Sequence, residues 1–275
     1  LADPWEYDID NDWWTQRADM PGTVRNAATG FPVGNKGYIT TGYNPDQKYL
    51  ADTWEYDPQT NTWRQMDDFK GGARYYALGF GIDNYGYVGT GYNDNYLKDF
   101  YRFDPTAAAG SQWTIVNGFG GQKRQGATAF VINGKAYVCG GQNNNSDVSD
   151  FWRFDPSAAT PWTQLRDIAN TSDDDYDDDY TSIVRSYGVS FVIDGKAYLT
   201  LGSTAGGSYY SNYWIYDPET DLWEGDDLTA FEGSTRIHAV CFSTGTRGII
   251  ATGGSGSSSY FDDTWELKPY EYEEE

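Results

Sequence analysis

The sequence predicts an all-β protein in which short antiparallel strands form four-stranded sheets that stack radially as propeller blades. Three observations predict it. An aromatic run ending in Asp or Pro recurs six times, and an arginine-led apolar alternation recurs five times. The composition agrees: Gly 32, Tyr 24, Trp 11 and Phe 13 stand beside only two Met in 275 residues. Flat rings pack well on pleated surfaces and Gly accepts positive φ in tight turns, so this balance excludes a helical bundle in practice.

The first motif reads WEYD at 5–8, WEYDP at 54–58, YRFDP at 101–105, WRFDP at 152–156, WIYDP at 214–218 and WELKP at 265–269. Five copies are followed nine to twelve residues later by Trp14, Trp63, Trp113, Trp162 or Trp223. The second motif opens on Arg25, Arg74, Arg124, Arg185 and Arg236 and closes on Gly42, Gly91, Gly141, Gly202 and Gly254. Between opening and close lie turns such as Asn133-Gly134 and Asp194-Gly195, which favour hairpins because both central residues of a type I′ turn need positive φ.

Each unit of about 50 residues therefore reads as strand a from the arginine, b ending at the glycine, c on the aromatic run and d around the later Trp. A single four-stranded sheet cannot bury both its faces, so neighbours stack into a propeller. The predicted organisation is one propeller over 1–275. It holds a partial blade at 1–20, full repeats at 25–68, 74–118, 124–168 and 185–228, a second partial blade at 236–268, and an acidic tail at 269–275. Strands number twenty-one: two at the start, sixteen in the full repeats and three at the end. Six blades, with strands d, a and b lying upstream of Leu1, are preferred over a five-bladed alternative.

These words and spacings resemble the kelch family, which closes strand b on Gly or Gly-Gly, carries an aromatic run on c and a Trp on d. The resemblance covers nearly the whole chain. Gly140-Gly141 and Gly253-Gly254 show the doubled glycine, whereas Thr41-Gly42, Thr90-Gly91 and Leu201-Gly202 do not. The chain is similar to kelch proteins that bacteria export to the cell envelope. That similarity implies an exported, surface or outer-membrane-associated protein, with an export signal and lipid anchor upstream of Leu1.

In such a blade the b–c and d–a loops share one end. They carry Tyr43, Asn44, Tyr92, Asn93, Gln142, Asn143, Tyr209 and Tyr210, a mixture of rigid aromatic area and adaptable amides suited to recognition. The five arginines fall at the same end and admit two readings. As a ring of guanidiniums they grip carboxylates of a ligand, as the resemblance implies from some kelch domains that hold acidic peptides with arginines at this strand-a position. As structural groups they pair with Asp52, Asp99, Asp150, Asp263 and Asn212, each two residues before a c-strand aromatic, as is Asp3.

The connection before Arg185 is longer by about eleven residues and contains Asp173, Asp174, Asp175, Asp177, Asp178 and Asp179. Such carboxylates are the hard oxygen ligands that Ca²⁺ prefers, although the Gly and terminal Glu of an EF-hand loop are missing. A solvated or protein-docking loop is the other reading, and apart from that Ca²⁺ no cofactor is expected. Glu271, Glu273, Glu274 and Glu275 read as a charged tail.

Net charge −22 repels phosphate backbones and anionic lipid, so nucleic acid is not an expected partner. No run approaches the roughly 20 apolar residues of a membrane-spanning helix. Cys139 and Cys241 sit in separate apolar runs and read as buried thiols. His238 is the single histidine and reads as a packing residue. Copper chemistry of the galactose-oxidase kind, which needs two histidines and a crosslinked Tyr–Cys pair, is therefore excluded, and no Ser-His-Asp, Cys-His or zinc spacing can be assembled. The expected function is non-catalytic binding or scaffolding of a protein or glycan on the b–c and d–a loop end. The rival, implied by the kelch resemblance, is an enzyme such as a sialic acid mutarotase.

Overall fold

The computed structural model describes residues 2–225, 229–256 and 258–269. The chain falls into two compact units, Leu1–Phe119 and Gly120–Glu275. The first holds a two-stranded hairpin, Trp5–Asp8 with Trp13–Gln16, and two four-stranded antiparallel sheets. Blade I comprises Thr29–Val33, Lys36–Thr40, Thr53–Asp57 and Thr62–Met66. Blade II comprises Leu78–Ile82, Tyr85–Gly89, Phe100–Phe103 and Trp113–Val116.

The second unit holds blade III, Thr128–Ile132, Lys135–Cys139, Trp152–Phe154 and Trp162–Gln164. Blade IV is Val189–Ile193, Lys196–Thr200, Trp214–Asp217 and Leu222–Glu224. Blade V has three strands, Val240–Ser243, Gly248–Ala251 and Thr264–Leu267.

The sequence prefers six blades; the described residues form five blade sheets, in line with the alternative count. Among the described residues the opening hairpin forms a two-stranded sheet of its own, and strand c of blade V pairs with its strand b. The ends of two predicted segments, 226–228 and 270–275 with the glutamate tail, lie outside the described residues.

Repetition in sequence becomes repetition in packing. Between strands a and b, Phe31–Tyr38, Phe80–Tyr87, Phe130–Tyr137 and Phe191–Tyr198 face each other in register with rings stacked 5.2 to 6.0 Å apart. Between c and d, each aromatic of the first motif meets the later Trp: Tyr56–Trp63, Phe103–Trp113, Phe154–Trp162 and Tyr216–Trp223 lie 4.7 to 5.1 Å apart. Such cross-strand aromatic pairs add stabilisation beyond the area they bury. The Asp that ends the run folds the c–d turn back on itself. Asp57, Asp104, Asp155 and Asp217 each accept the backbone N–H two residues on, an arrangement that competes with strand extension and stops strand c.

Neighbouring blades within a unit are stapled through backbone. Gly42 N–H donates to Arg74 O in the first unit; in the second, Gly141 and Gly202 donate to Arg185 O and Arg236 O. The staple needs glycine: Gly141 has φ +88°, and a Cβ there would stand 2.8 Å from Gln125 O. One assignment shifts by a residue. The closing glycine of blade V is Gly253, not Gly254, because Arg236 binds Thr252 O just as Arg25 binds Thr41 O, sixteen residues on in both cases. Gly140-Gly141 is then the one true doubled glycine; Thr41, Thr90, Leu201 and Thr252 hold the left-handed conformation that the first glycine otherwise takes.

Candidate functional site

The arginines resolve into a single repeated arrangement. Each guanidinium reaches the carbonyl two residues before it, the carbonyl sixteen residues after it and the side chain that precedes strand c. For Arg74 these are Gly72 O at 3.2 Å, Thr90 O at 2.9 Å and Asp99 at 2.6 and 2.9 Å. Arg25 takes Thr23 O, Thr41 O and Asp52; Arg124 takes Gln122 O, Gly140 O and Asp150; Arg236 takes Ser234 O, Thr252 O and Asp263. All five arginine side chains are buried. Their guanidiniums hold strands a, b and c of one sheet together and are not presented as an anion-gripping ring, which corrects the ligand reading of Arg25, Arg74, Arg124, Arg185 and Arg236.

Electrostatics follow from this burial. Burial pushes the Asp52 carboxyl up, but hydrogen bonds from Arg25 and Trp54 outweigh it and hold it below the usual range. Asp263 is lowered chiefly by Arg236, with Trp265 adding a second bond. Blade IV differs because Asn212 replaces the aspartate. Arg185 donates to Ile183 O, Leu201 O, Ser182 O and Asn212 Oδ1, and its guanidinium lies over the Tyr210 ring at 4.7 Å. With no carboxylate facing it, burial lowers its pKa to about 10.

The b–c and d–a loops do meet at one end of each sheet, as predicted. The residue after each arginine bridges to the residue after the closing glycine: Asn26 with Tyr43, Tyr75 with Tyr92, Gln125 with Gln142, Ser186 with Ser203 and Ile237 with Gly254. In the first unit this gathers tyrosines. Tyr49 and Tyr75 stack at 5.7 Å with planes 10° apart; Tyr43 lies 5.6 Å and Tyr92 5.7 Å from Tyr75, and Tyr96 packs edge-on to Tyr92 at 5.0 Å. Tyr49 donates to Asp94 at 2.7 Å. All five rings keep partial exposure. Asn44 serves the loop instead: buried, it donates to Val24 O and accepts from the backbones of Asp46 and Gln47. Asn93 is half-buried, and its backbone N–H donates to Asn95 O.

In the second unit the same end is more polar. Gln142 and Gln125 both donate to Tyr187 Oη, at 2.7 and 2.8 Å, and His238 packs edge-on to the Tyr187 ring at 4.6 Å. His238 is solvent-exposed, and its ring packs on Tyr187, in keeping with the packing role read from the sequence. Asn143 sits in a short ribbon opposite Ser146, Tyr209 accepts Gly256 N–H, and Tyr210 covers Arg185.

The acidic insertion folds onto blade IV. Asp177 is buried and accepts from Thr171 N, Ser172 N and Ser172 Oγ at 2.9 Å each, closing a 3₁₀ turn at Asp175–Asp177. Asp173, Asp174, Asp175, Asp178 and Asp179 are exposed. Among the described residues no three Asp, Glu, His or Cys side chains gather to hold a metal. Tyr180 anchors the insertion, its hydroxyl accepting Trp223 N–H at 2.8 Å and its ring packing on Trp214.

Sequence reasoning named Tyr43 and Tyr92 but missed Tyr49, Tyr75 and Tyr96. The signal for Tyr75 was present, since it directly follows a repeat arginine and so pairs with the loop residue after the glycine.

Comparison with known proteins agrees with this architecture. A kelch motif matches residues 32–70 and 123–165. N-acetylneuraminate epimerases of Yersinia pestis (strain Pestoides F) and Yersinia pseudotuberculosis serotype O:1b (strain IP 31758) are each 29% identical over 164 residues, 49% of this chain and 41% of theirs. The match thus spans about two-fifths of those relatives. The solved structure of YjhT is similar with TM-score 0.78 at 15% identity, covering 96% of this chain and 87% of that one. Repeats and neighbours together define an all-β propeller of four-stranded antiparallel blades. Two stretches of the chain thus match the kelch motif, and its fold is that of the propeller YjhT.

Proposed function

We propose that this protein is a non-catalytic carbohydrate-binding propeller that holds a neutral glycan on the tyrosine-lined loop end of blades I and II. The observation that carries the reading is the cluster of Tyr43, Tyr49, Tyr75, Tyr92 and Tyr96. Half-exposed rings offer flat apolar area to the C–H faces of a sugar, with hydroxyls at the edge for its oxygens. Two facts favour a neutral sugar: the arginines are consumed inside the blades, and net charge −22 opposes an anionic ligand at long range. A glycan array with neutral and sialylated members tests this. Binding to neutral members supports it, and binding confined to sialylated members rejects it.

A second reading, anomer or epimer exchange on a sialic acid, is favoured by the matched relatives and by exposed His238 beside Tyr187. NMR of anomer exchange in N-acetylneuraminate separates the two. Acceleration that His238→Ala abolishes establishes catalysis and overturns the binding reading. An exported, envelope-associated setting completes the proposal, and fractionation of the native cell tests it.

A further inference from the structure

At the other end of blades I and II, where the a–b and c–d turns lie, the first unit contains a cavity of about 420 Å³. Small-molecule sites typically measure about 300–1,000 Å³. Its walls include Asn35, Lys36, Arg64, Asn84, Tyr85 and Thr106, and it is also lined by Glu55. Glu55 is a buried carboxylate whose oxygens are fully engaged. Tyr38 donates to Oε2 at 2.7 Å, Lys36 to Oε1 at 3.0 Å, and Arg64 Nη2 to both oxygens at 2.8 and 2.9 Å.

Lys36 also reaches Asp57 at 3.4 Å, so two cations are balanced by two carboxylates. This network fixes Arg64 while leaving its Nε and Nη1 groups with no protein partner among the described residues. The Arg64 side chain is 62% exposed. One face of Tyr85 is covered by the Arg102 guanidinium at 4.6 Å. Blade V and the opening hairpin keep a glutamate at this place, Glu266 paired with Arg247 and Glu6 with Arg17, but the combination of Lys36, Tyr38 and Arg64 on one glutamate occurs in blade I among the described residues. In register with it, the place of the Glu55–Arg64 pair is taken by Arg102–Thr114, Arg153–Thr163 and Ile215–Glu224 in blades II, III and IV.

We infer that this cavity is a second ligand site, distinct from the loop end, that takes one neutral sugar residue. Fixed N–H donors on Arg64 and the side-chain amides of Asn35 and Asn84 suit ring hydroxyls, and Tyr85 offers an aromatic wall. An anion finds no net positive charge, because Glu55 and Asp57 balance the cations and Asp104 adds a further carboxylate to the lining.

The test is protein-observed NMR titration with the methyl glycosides of glucose, galactose, mannose and N-acetylglucosamine, with sulfate and citrate as anionic probes. At least one glycoside should shift the amides of Gly34–Lys36 and Asn84. Arg64→Met should weaken it about tenfold or more, roughly the loss of one charged hydrogen bond, and Asn84→Ala about threefold or more, the loss of a neutral one; both positions are exposed. Tyr75→Ala, at the loop end, should leave these shifts intact, so failure of either site is read separately. The inference is overturned if no glycoside shifts those amides, if both cavity variants bind as the parent does, or if sulfate or citrate binds there in preference.

Discussion

Replacing Arg124 with methionine isolates the contribution of the buried spokes that tie strands a, b and c together. The side chain is fully buried and donates to Gln122 O at 3.1 Å, to Gly140 O at 3.1 Å and to Asp150. Methionine fills much of the volume but leaves two carbonyls without that donor and strands Asp150, which keeps only the Gln122 N–H at 2.8 Å among its described partners. Breaking a buried pair by removing one partner costs about 3–5 kcal/mol. At roughly 2–4 °C per kcal/mol for a chain of this size, Tm should fall by about 6–20 °C. Blade IV supplies the internal comparison. Asp150→Asn copies the native Arg185–Asn212 pairing and should cost less than Arg124→Met, whereas Asn212→Asp gives Arg185 a carboxylate and should raise Tm. Ser182 Oγ, which now accepts from Asn212 Nδ2 at 2.7 Å, can turn its hydroxyl to donate to the new carboxylate. Thermal unfolding followed by circular dichroism reads all three, with exposed Lys98→Met as the surface control. An Arg124→Met midpoint equal to that of the control would refute the reasoning.

Three further outcomes are expected. Thr90→Gly should stabilise by about 0.5–1 kcal/mol in urea unfolding, because Thr90 has φ +58° and a buried hydroxyl with no partner among the described residues; a net loss contradicts this. Burial pushes Cys139 up to about 12 and Cys241 up to about 11, so at pH 8 both thiols should react with Ellman's reagent about tenfold or more slowly until the protein is denatured, and prompt reaction of the native protein opposes it. Asp52, Asp263 and Glu55 are held below their ordinary range, and Asp155 is drawn to about 2, chiefly by Ser157. Their native-state advantage is complete above the unfolded carboxylate range near pH 4 and is lost as pH falls toward about 2; a flat Tm across that window contradicts it.

Much of the fold was legible because each repeat carries its own packing partner. The c-strand aromatic and the later Trp are short-range neighbours, as are the Phe and Tyr across the a–b turn, so spacing alone exposes them. The Arg–Asp pairing was legible for the same reason, recurring at intervals of 25 to 27 residues. Spacing counted from the arginine would also have placed the last closing glycine at Gly253 instead of Gly254. Blade number was harder, since it depends on how incomplete sheets end rather than on any motif. The tyrosine cluster was only half visible: Tyr43 and Tyr92 lie in loops with recognition-like composition and Tyr75 follows a repeat arginine, but Tyr49 joins them through inter-blade packing that no local pattern records. At 173–179 the sequence left a metal-binding and a solvated loop open; what it did not reveal is that Asp177 turns inward to close its own loop while the other aspartates face solvent.

The most direct measurement is the affinity of the parent protein, Tyr75→Ala and Tyr49→Phe for a neutral glycan identified on the array, by isothermal titration. Stacking loss at Tyr75 should weaken binding about tenfold or more, and loss of the Tyr49 hydroxyl bond to Asp94 should weaken it less. Unchanged affinity in Tyr75→Ala, with the fold intact by circular dichroism, would contradict the account.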